Sequence, residues 1–333
     1  MPSEFELIAR HFSRASPGAR LGVGDDAALC TVSTGMELAV STDMLLAGRH
    51  FLPDAEPEAL GHKTLAVNLS DLAAMGARPR WALLAIALPQ ADEDWLAAFS
   101  LGFYALAGRY GVDLIGGDTT RGPLTLCVTI LGEVEAGQAL TRAGSRPGDD
   151  VWVSGRLGGA ALGLAHLQGR VKLDPRLAAE CRLRLDRPEP RVALGRALRG
   201  VASAAIDLSD GLLADLGHIL ERSGVGAELE FARLPAEPAL AAGVPEDLAR
   251  HCLLAGGDDY ELIFTAPPAQ EGAIAALAQR LGLPLTRIGR IVEGQALTVR
   301  DAQGRPLAIP AHGFDHFADQ NDNRPWPISR HGP

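Results

Sequence analysis

The sequence lacks the features that would place it in a membrane, in an oxidising compartment or on a nucleic acid. Its longest apolar runs, such as 81–89 (WALLAIALP), are far too short to cross a bilayer, and residues 1–12 mix charges among apolar side chains, unlike a signal peptide. The four cysteines form no CxxC pair, which argues against a zinc site and a disulfide framework. A net charge of −10 argues against a nucleic-acid surface, which would be basic. We therefore expect a cytoplasmic globular protein.

The common nucleotide-binding motifs are absent as well. The chain has no GxxxxGK[ST] P-loop, no HRD or DFG kinase set, and no GxGxxG that follows a strand and opens a helix. The pairs Gly116-Gly117 and Gly256-Gly257 can still offer backbone N–H groups to a phosphate. An acidic protein that binds an anionic substrate also needs a counter-charge, and divalent cations are one source of it.

The 333 residues are enough for two domains of ordinary size. In the amino-terminal part the apolar patterns predict helices and strands in the order expected for a mixed sheet with helices on one face: strand 37–42, helix 57–75, strand 81–88, helix 92–110, strand 112–115 and strand 124–134. The Gly-, Pro- and charge-rich stretch 135–150 predicts the domain boundary. Strands and helices alternate again after it. We expect an α+β protein of two α/β-layer domains, with bounds 1–136 and 148–318 and a flexible tail at 319–333.

The stretch from His62 to Pro79 (HKTLAVNLSDLAAMGARP) predicts a buried helix that carries a carboxylate, Asp71. Asn68 lies three residues before Asp71 on the same helix face, and Gly76 predicts the end of the helix. A carboxylate on an apolar helix is costly unless it is paired or binds a metal. This stretch alone leaves both interpretations open.

Acidic residues recur beside glycine at the predicted ends of strands. The motifs are Gly24-Asp25-Asp26, Gly117-Asp118, Asp207–Gly211 and Gly257-Asp258-Asp259, together with the strand that ends on Ser41, Thr42 and Asp43. Each motif alone is an ordinary turn. Carboxylates that converged to about 4 Å would repel by roughly 4 kcal/mol a pair, and cations would relieve this repulsion. Carboxylates and hydroxyls without clustered His or Cys favour Mg²⁺, which commonly serves phosphate substrates.

The motifs, taken in order, resemble the thiamine-monophosphate kinase family, in the superfamily of aminoimidazole ribonucleotide synthetase and selenophosphate synthetase. The resemblance runs through nearly the whole chain, from SEFELI at 3–8 through GVGDDAA, STDMLLAGRHF, NLSDLAAMGARP, LIGGDTTRGP, DLSDGL and GGDDYELIF to GFDHF at 313–317. It implies transfer of the ATP γ-phosphate to thiamine monophosphate, which gives thiamine diphosphate. It also implies a homodimer joined through the amino-terminal, metal- and ATP-binding domains.

The resemblance further implies roles for individual residues. The implied Mg²⁺ ligands are Asp26, Ser41, Thr42, Asp43, Asp71, Asp118, Asp207 and Asp210. The implied ATP contacts are Gly117, Asp118, Arg142 and Ser209, and the implied thiamine phosphate contacts are His50, Asp258 and Phe314. Asp43, Asp71 and Asp118 are the implied catalytic residues. Asp258 stands where the family frequently has Glu, and Phe314 where it frequently has Trp.

Other functions stay open at this point. One is a related ATP-dependent cyclo-ligase or a selenophosphate-synthetase-like enzyme, although no reactive-looking cysteine precedes GVGDDAA. Another is a non-catalytic Mg²⁺- and nucleotide-binding regulatory protein. If the chain is a kinase, we expect direct in-line transfer, because no Ser or Cys in the motifs has a partnered base.

Several local expectations complete the interpretation. Lys63 is expected to be a surface lysine, and Ser209 to begin a helix whose N–H groups suit a phosphate. Tyr260 and Glu261 are expected in a strand. All four cysteines are expected to be small buried side chains.

Overall fold

The computed structural model describes residues 3–308, so Phe314, the GFDHF motif and the predicted tail at 319–333 lie outside it. Within these bounds the chain forms two compact units. Unit 1 holds residues 3–140 and 186–200, and unit 2 holds 141–185 and 201–308. The predicted bounds of 1–136 and 148–318 differ from these units chiefly because 186–200 packs with unit 1.

Nine α-helices and ten strands are found within residues 3–308, and none of these helices has the length and apolar character needed to cross a membrane. In chain order they are α1 (Glu4–His11), β1 (Met36–Leu46), α2 (Pro57–Ala74), β2 (Arg78–Leu88), α3 (Glu93–Tyr110), β3 (Asp113–Arg121), β4 (Thr125–Glu135), β5 (Asp150–Ser154), α4 (Gly159–Leu167), α5 (Pro175–Asp186), α6 (Val192–Leu198), β6 (Ala204–Asp207), α7 (Leu212–Ser223), β7 (Gly226–Glu230), α8 (Glu246–Ala255), β8 (Leu262–Ala266), α9 (Glu271–Leu281), β9 (Leu285–Val292) and β10 (Leu297–Arg300).

Unit 1 is built on a four-stranded sheet with the strand order β1-β4-β2-β3. Strand β4 pairs antiparallel with β1 and β2, whereas β2 and β3 are parallel. Helix α2 packs against α3 and against β1 and β4. The predicted mixed sheet with covering helices is confirmed.

Two strands of this sheet continue well past the ends predicted for them. Strand β1 does not end near Asp43, because every residue from Met36 to Leu46 is paired with β4. Strand β3 does not end at Ile115, because its pairing with β2 continues to Arg121. The motifs Ser41–Asp43 and Gly117-Asp118 therefore lie inside strands. Pairing with a neighbouring strand outweighs the local turn preference of Gly and Asp.

Helix α2 confirms the predicted buried helix, since 14 of its 18 residues are buried. The Glu56 side chain accepts the Glu58 and Ala59 N–H groups at its start, and Gly76 follows its end with the left-handed φ of 67°. The expectation of a surface position for Lys63 was wrong, because this residue is only 3% exposed. A helix covered on most sides leaves little surface to which a lysine can reach.

The residues after α5 return to unit 1 and are held there by polar contacts with α2 and α3. Glu189 accepts hydrogen bonds from Arg109 Nη1 at 2.7 Å, Arg109 Nη2 at 2.6 Å and Tyr110 Oη at 2.7 Å. His62 Nε2 donates to the Pro188 carbonyl at 2.9 Å. Helix α6, which was not predicted, then packs on α2.

Unit 2 contains a six-stranded mixed sheet with the order β10-β7-β9-β5-β8-β6. Strand β6 and helix α7 are among the alternating strands and helices predicted after the domain boundary. Tyr260 and Glu261 precede β8, so their expected place in a strand was wrong. The φ of Tyr260 is 48°, a left-handed value that a strand residue does not adopt.

Candidate functional site

The part of β1 that faces α2 carries two of the predicted site residues. Ser41, Asp43 and Leu45 alternate along the strand with the more exposed Thr42 and Met44, as expected for a strand with two different faces. The hydroxyl of Thr42 lies 2.8 Å from that of Thr129 on β4. Alternation therefore brings Ser41 and Asp43 to one face and places the Thr42 side chain on the other.

Helix α2 presents its polar face to this strand. Ser41 Oγ donates a hydrogen bond to Asp71 Oδ2 at 2.5 Å. Asn68 Oδ1 accepts the Asp43 N–H at 3.2 Å, and Asn68 Nδ2 donates to the Thr64 carbonyl at 3.0 Å. The two motifs STD and NLSD, which are separate in the sequence, therefore meet in unit 1. We call Ser41, Asp43, Asn68 and Asp71 the β1–α2 cluster.

The chemistry of the β1–α2 cluster suits a hard cation. It offers two carboxylates, a hydroxyl and an amide, and such oxygen donors are the ligands that Mg²⁺ takes in proteins. Asp71 is partly buried rather than fully enclosed. In residues 3–308 no three Asp, Glu, His or Cys side chains are gathered closely enough to hold a metal. Waters or substrate phosphates would therefore complete the coordination shell of a cation bound here, which is common for Mg²⁺.

Asp118 lies on a different part of the same sheet. Its strand, β3, is separated from β1 by β4 and β2. Asp43 and Gly117 share one row of paired residues, so Asp118 is three strand spacings from β1, roughly 14 Å along the sheet. Within one chain, the structure does not join Asp118 to the β1–α2 cluster, and its role stays a prediction.

Gly117, which precedes Asp118, is a position where only glycine fits. Its φ is 152°, and a Cβ atom built there would lie 1.8 Å from the Leu84 carbonyl oxygen. No side chain fits between Gly117 and Leu84. The main chain of β3 is therefore in direct contact with the main chain of β2 at the residue before Asp118. Asp118 itself is exposed, opposite the exposed Ala85.

The remaining predicted residues of unit 1 lie in loops. Asp26 is exposed in the segment before β1. His50 is partly buried in the turn after β1, where its Nδ1 accepts the Leu46 N–H at 3.0 Å. This bond orients the ring and places its proton on Nε2.

In unit 2 Asp207 is the last residue of β6, and the loop between β6 and α7 carries Ser209 and Asp210. This loop is folded around a carboxylate that was not predicted. Asp215 Oδ2 accepts the N–H groups of Ser209 at 3.0 Å, Asp210 at 3.0 Å and Gly211 at 3.1 Å. Ser209 does not cap α7, which begins at Leu212 after Gly211. Asp215 already accepts the N–H groups of residues 209–211, and a phosphate contact at the start of α7 stays a prediction. The sequence offered one indication of this role, because Asp215 is an acidic residue in the first turn of a predicted helix.

Burial is the main influence on the ionisation of Asp215. It raises the pKa of this carboxyl well above its ordinary value, and the negative charges of Asp207 and Asp210 raise it further. The three N–H donors act in the opposite direction, because they stabilise the carboxylate.

The other predicted residues of unit 2 lie on separate segments. The main-chain N–H of Asp258 donates to the Ser209 carbonyl at 2.9 Å, so these two predicted binding residues are neighbours. Arg142 is exposed in the segment before β5, and its carbonyl accepts from Ser223 Oγ at 3.3 Å.

Comparison with known proteins defines the class first. The family model described as AIR synthase related protein, N-terminal domain, matches residues 24–134, and the corresponding C-terminal domain matches residues 146–302. The chain therefore has the paired domains of the AIR synthase related proteins.

Individual relatives are more specific. The thiamine-monophosphate kinase of Escherichia coli (strain K12) is 48% identical over 322 residues, covering 95% of this chain and 98% of the relative. The crystal structure of the thiamine-monophosphate kinase from Stenotrophomonas maltophilia K279a is 51% identical with a TM-score of 0.82, covering 90% and 95% of the two chains. The structure of AaThiL complexed with AMPPCP and TMP is 31% identical with a TM-score of 0.75, covering 86% and 89%. The chain belongs to the thiamine-monophosphate kinase family, and the resemblance seen in the sequence is confirmed.

Proposed function

We propose that this protein transfers the γ-phosphate of ATP to thiamine monophosphate and thereby makes thiamine diphosphate, the last step of thiamine diphosphate biosynthesis. The bond between Ser41 and Asp71 carries the proposal, because it joins two of the family motifs in one oxygen-rich cluster. Support also comes from the relatives that bear this name and from the complex of one of them with AMPPCP and TMP. We infer a cytoplasmic location, where ATP is supplied.

We further propose that several Mg²⁺ ions serve the reaction. Bound Mg²⁺ would neutralise phosphate charge and orient the two substrates. The residues that would hold it are the predicted ligands Asp26, Ser41, Asp43, Asp71, Asp118, Asp207 and Asp210. Thr42 is the weakest member of the predicted set, because its hydroxyl contacts Thr129 on the other face of β1.

The side chains of the protein bind ATP and thiamine monophosphate and orient them for the transfer. The phosphate of the acceptor is already a nucleophile at neutral pH, so direct in-line transfer needs neither a general base nor a phospho-enzyme. His50, whose ring is oriented by the Leu46 N–H, can donate from Nε2 to the acceptor phosphate. Asp258 provides a carboxylate for the cationic thiazolium ring. Gly117, with Arg142 and Ser209, is proposed to contact ATP.

We propose that the protein is a homodimer in which the outer face of β1 is covered by a second copy. Leu38, Val40, Met44 and Leu46 project from this face and are between 39% and 56% exposed. They form an apolar stripe along a strand that also lies at the edge of its sheet. Natural proteins rarely leave a long apolar edge strand uncovered. A second copy presents the same stripe, so the contact would be self-complementary.

An acceptor panel tests the proposed function against its alternatives. ADP release is measured with ATP and Mg²⁺ in the presence of thiamine monophosphate, thiamine, formylglycinamidine ribonucleotide or selenide, and each product is identified by mass. Turnover with thiamine monophosphate alone is expected. Turnover only with another acceptor would support a cyclo-ligase or a selenophosphate-type enzyme. Nucleotide binding without turnover on any acceptor would support a regulatory protein.

A further inference from the structure

Two loops of unit 2 that carry predicted site residues are joined by main-chain hydrogen bonds. The first loop follows β6, and the second precedes β8. Besides the bond from Asp258 to Ser209, the Tyr260 N–H donates to the Leu208 carbonyl at 2.8 Å, and the Leu208 N–H donates to the Glu261 carbonyl at 2.8 Å. These bonds continue the pairing of β6 with β8 beyond the ends of both strands.

The close packing of the two loops explains why each of them contains a glycine. Gly211, in the first loop, has a φ of 108°, and a Cβ atom there would lie 2.7 Å from the main-chain carbon of Ala255, the last residue of α8, from which the second loop continues. A Cβ atom on Gly257, in the second loop, would lie 2.3 Å from the Ser209 carbonyl oxygen. The loops therefore pack main chain against main chain, with no room for a side chain between them.

The backbone of the second loop is strained, and its hydrogen bonds to the first loop hold it in that conformation. Asp258, with a φ of 67°, and Tyr260 are the two non-glycine residues at positive φ within residues 3–308. Such a conformation is unfavourable for a bulky residue and persists only where surrounding contacts impose it. The N–H groups of these same two residues form the bonds to the first loop. If the first loop moved away, the hydrogen bonds that hold Asp258 and Tyr260 at positive φ would be lost.

Each loop is also anchored by one carboxylate. Asp215, which is 2% exposed, accepts three consecutive N–H groups of the first loop and ties it to α7. Asp259 lies between the two strained residues, and its Oδ2 accepts the Gly158 N–H at 2.8 Å, which ties the second loop to the start of α4. Three consecutive N–H groups form a concave donor site that can hold an external acceptor, and here the Asp215 side chain supplies the acceptor oxygen itself.

We propose that Asp215 and Asp259 are positioning residues that hold the two loops as one unit and so fix Asp207, Asp210 and Asp258 relative to each other. This inference rests on the proposed function, which assigns the first two of those residues to Mg²⁺ and the third to the acceptor. Neither Asp215 nor Asp259 is among the residues proposed to contact a ligand. Their effect on the reaction would pass through the main chain of the loops.

Hydrogen exchange tests the coupling of the loops without any need for activity. In Asp215→Ala we expect the amides of Asp258 and Tyr260, in the other loop, to exchange about tenfold faster or more. Asp215→Asn retains an acceptor oxygen and is expected to show a smaller increase, and it serves as the test if the alanine variant does not fold. Faster exchange confined to Ser209–Gly211 would overturn the proposal.

A matched control is available elsewhere in unit 2. Asp301 Oδ1 accepts the N–H groups of Gln303 at 2.9 Å and Arg305 at 2.8 Å in the turn after β10. Asp301→Ala thus also removes a carboxylate that holds a loop, but we expect no change in the exchange of Asp258 and Tyr260. Equal acceleration in this control would show a general loosening of unit 2 and would contradict the specific role of Asp215.

Kinetics then test whether the coupled loops serve the reaction. In Asp215→Asn and Asp259→Asn we expect the half-saturating Mg²⁺ concentration and the KM for thiamine monophosphate each to rise about tenfold. A merely structural residue would reduce the amount of folded enzyme and leave both constants unchanged, and that result would overturn the positioning role. A wild-type protein that makes no thiamine diphosphate would instead contradict the proposed function, while the exchange result would still decide the coupling.

Discussion

Ser41 donates a hydrogen bond to Asp71 across the interface between β1 and α2, with 2.5 Å between the two oxygens. One partner sits on a strand that is paired along its whole length, and the other on a helix that is buried on most sides. Both backbones are therefore held rigidly. The bond fixes the direction of the Asp71 carboxylate in advance of ligand binding, which reduces the cost of orienting it later.

The first prediction concerns this bond. Asp71→Asn is expected to lower kcat by about 100-fold or more, because it removes a charge at the proposed Mg²⁺ site. Ser41→Ala retains that charge and is expected to cost about tenfold. Steady-state kinetics and the unfolding temperature are measured for both variants. Asp94→Asn, an exposed change in the first turn of α3, is the control, and an Asp71 variant as active as this control would contradict the account.

The second prediction concerns the separate position of Asp118. Asp118→Asn is expected to reduce turnover by orders of magnitude with an unchanged unfolding temperature, because the residue is exposed and its loss leaves the packing intact. Asp54→Asn, in an exposed loop of the same unit, is expected to be silent. Near-normal turnover of the Asp118 variant would remove this residue from the proposed ligand set.

The third prediction concerns Cys30, which is exposed rather than buried as expected from the sequence. Desolvation raises the pKa of its thiol, so little of the reactive thiolate is present at neutral pH. Cys30→Ser is therefore expected to change kcat by less than about twofold. Loss of activity in this variant would revive the selenophosphate-synthetase-like alternative, in which a cysteine acts as a nucleophile.

The fourth prediction tests the proposed homodimer. Val40→Lys and Met44→Lys place a charge in the apolar stripe on β1 and are expected to convert the dimer to monomers at micromolar concentration. Leu101→Lys is the matched control, because Leu101 is 57% exposed in the same unit but lies on α3. Molar mass is measured by light scattering. Two stripe variants that keep the mass of the wild-type protein would exclude this face as the dimer contact.

The fifth prediction concerns stability against pH. Burial lowers the pKa of His62, whose Nε2 donates to the Pro188 carbonyl. The unfolded chain therefore binds a proton at higher pH than the folded chain, so stability falls as the pH drops through about 6.5, the ordinary pKa of histidine. His62→Gln is expected to reduce the loss of unfolding temperature between about pH 7 and pH 5. His218→Gln, at an exposed position, should leave that loss unchanged.

Elements with strong local signals were predictable from the sequence. Helix α2 follows from its apolar residues and from Gly76, and α3 from the cap Asp92 and the stop Gly111, whose φ is 67°. These signals act within a few residues of the positions that they determine. Ser41 and Asp71 each lie on an element whose existence was predicted, but their hydrogen bond depends on how β1 and α2 pack together and was not predicted.

Features that depend on distant partners were not predictable. The continuation of β1 past Asp43 depends on β4, and the return of 186–200 to unit 1 depends on contacts of Glu189 with Arg109 and Tyr110. The role of Asp215 depends on the fold of the preceding loop, because a first-turn acid usually faces solvent near the helix dipole. Positive φ at Tyr260 is imposed by a second loop.

The central claim is most directly tested by following the phosphate itself. The protein is incubated with thiamine monophosphate and with ATP that is radiolabelled at the γ-phosphate, in Mg²⁺ and in excess chelator. The account predicts labelled thiamine diphosphate in Mg²⁺ and none in chelator. Release of the label as inorganic phosphate, with no label in thiamine diphosphate, would contradict it.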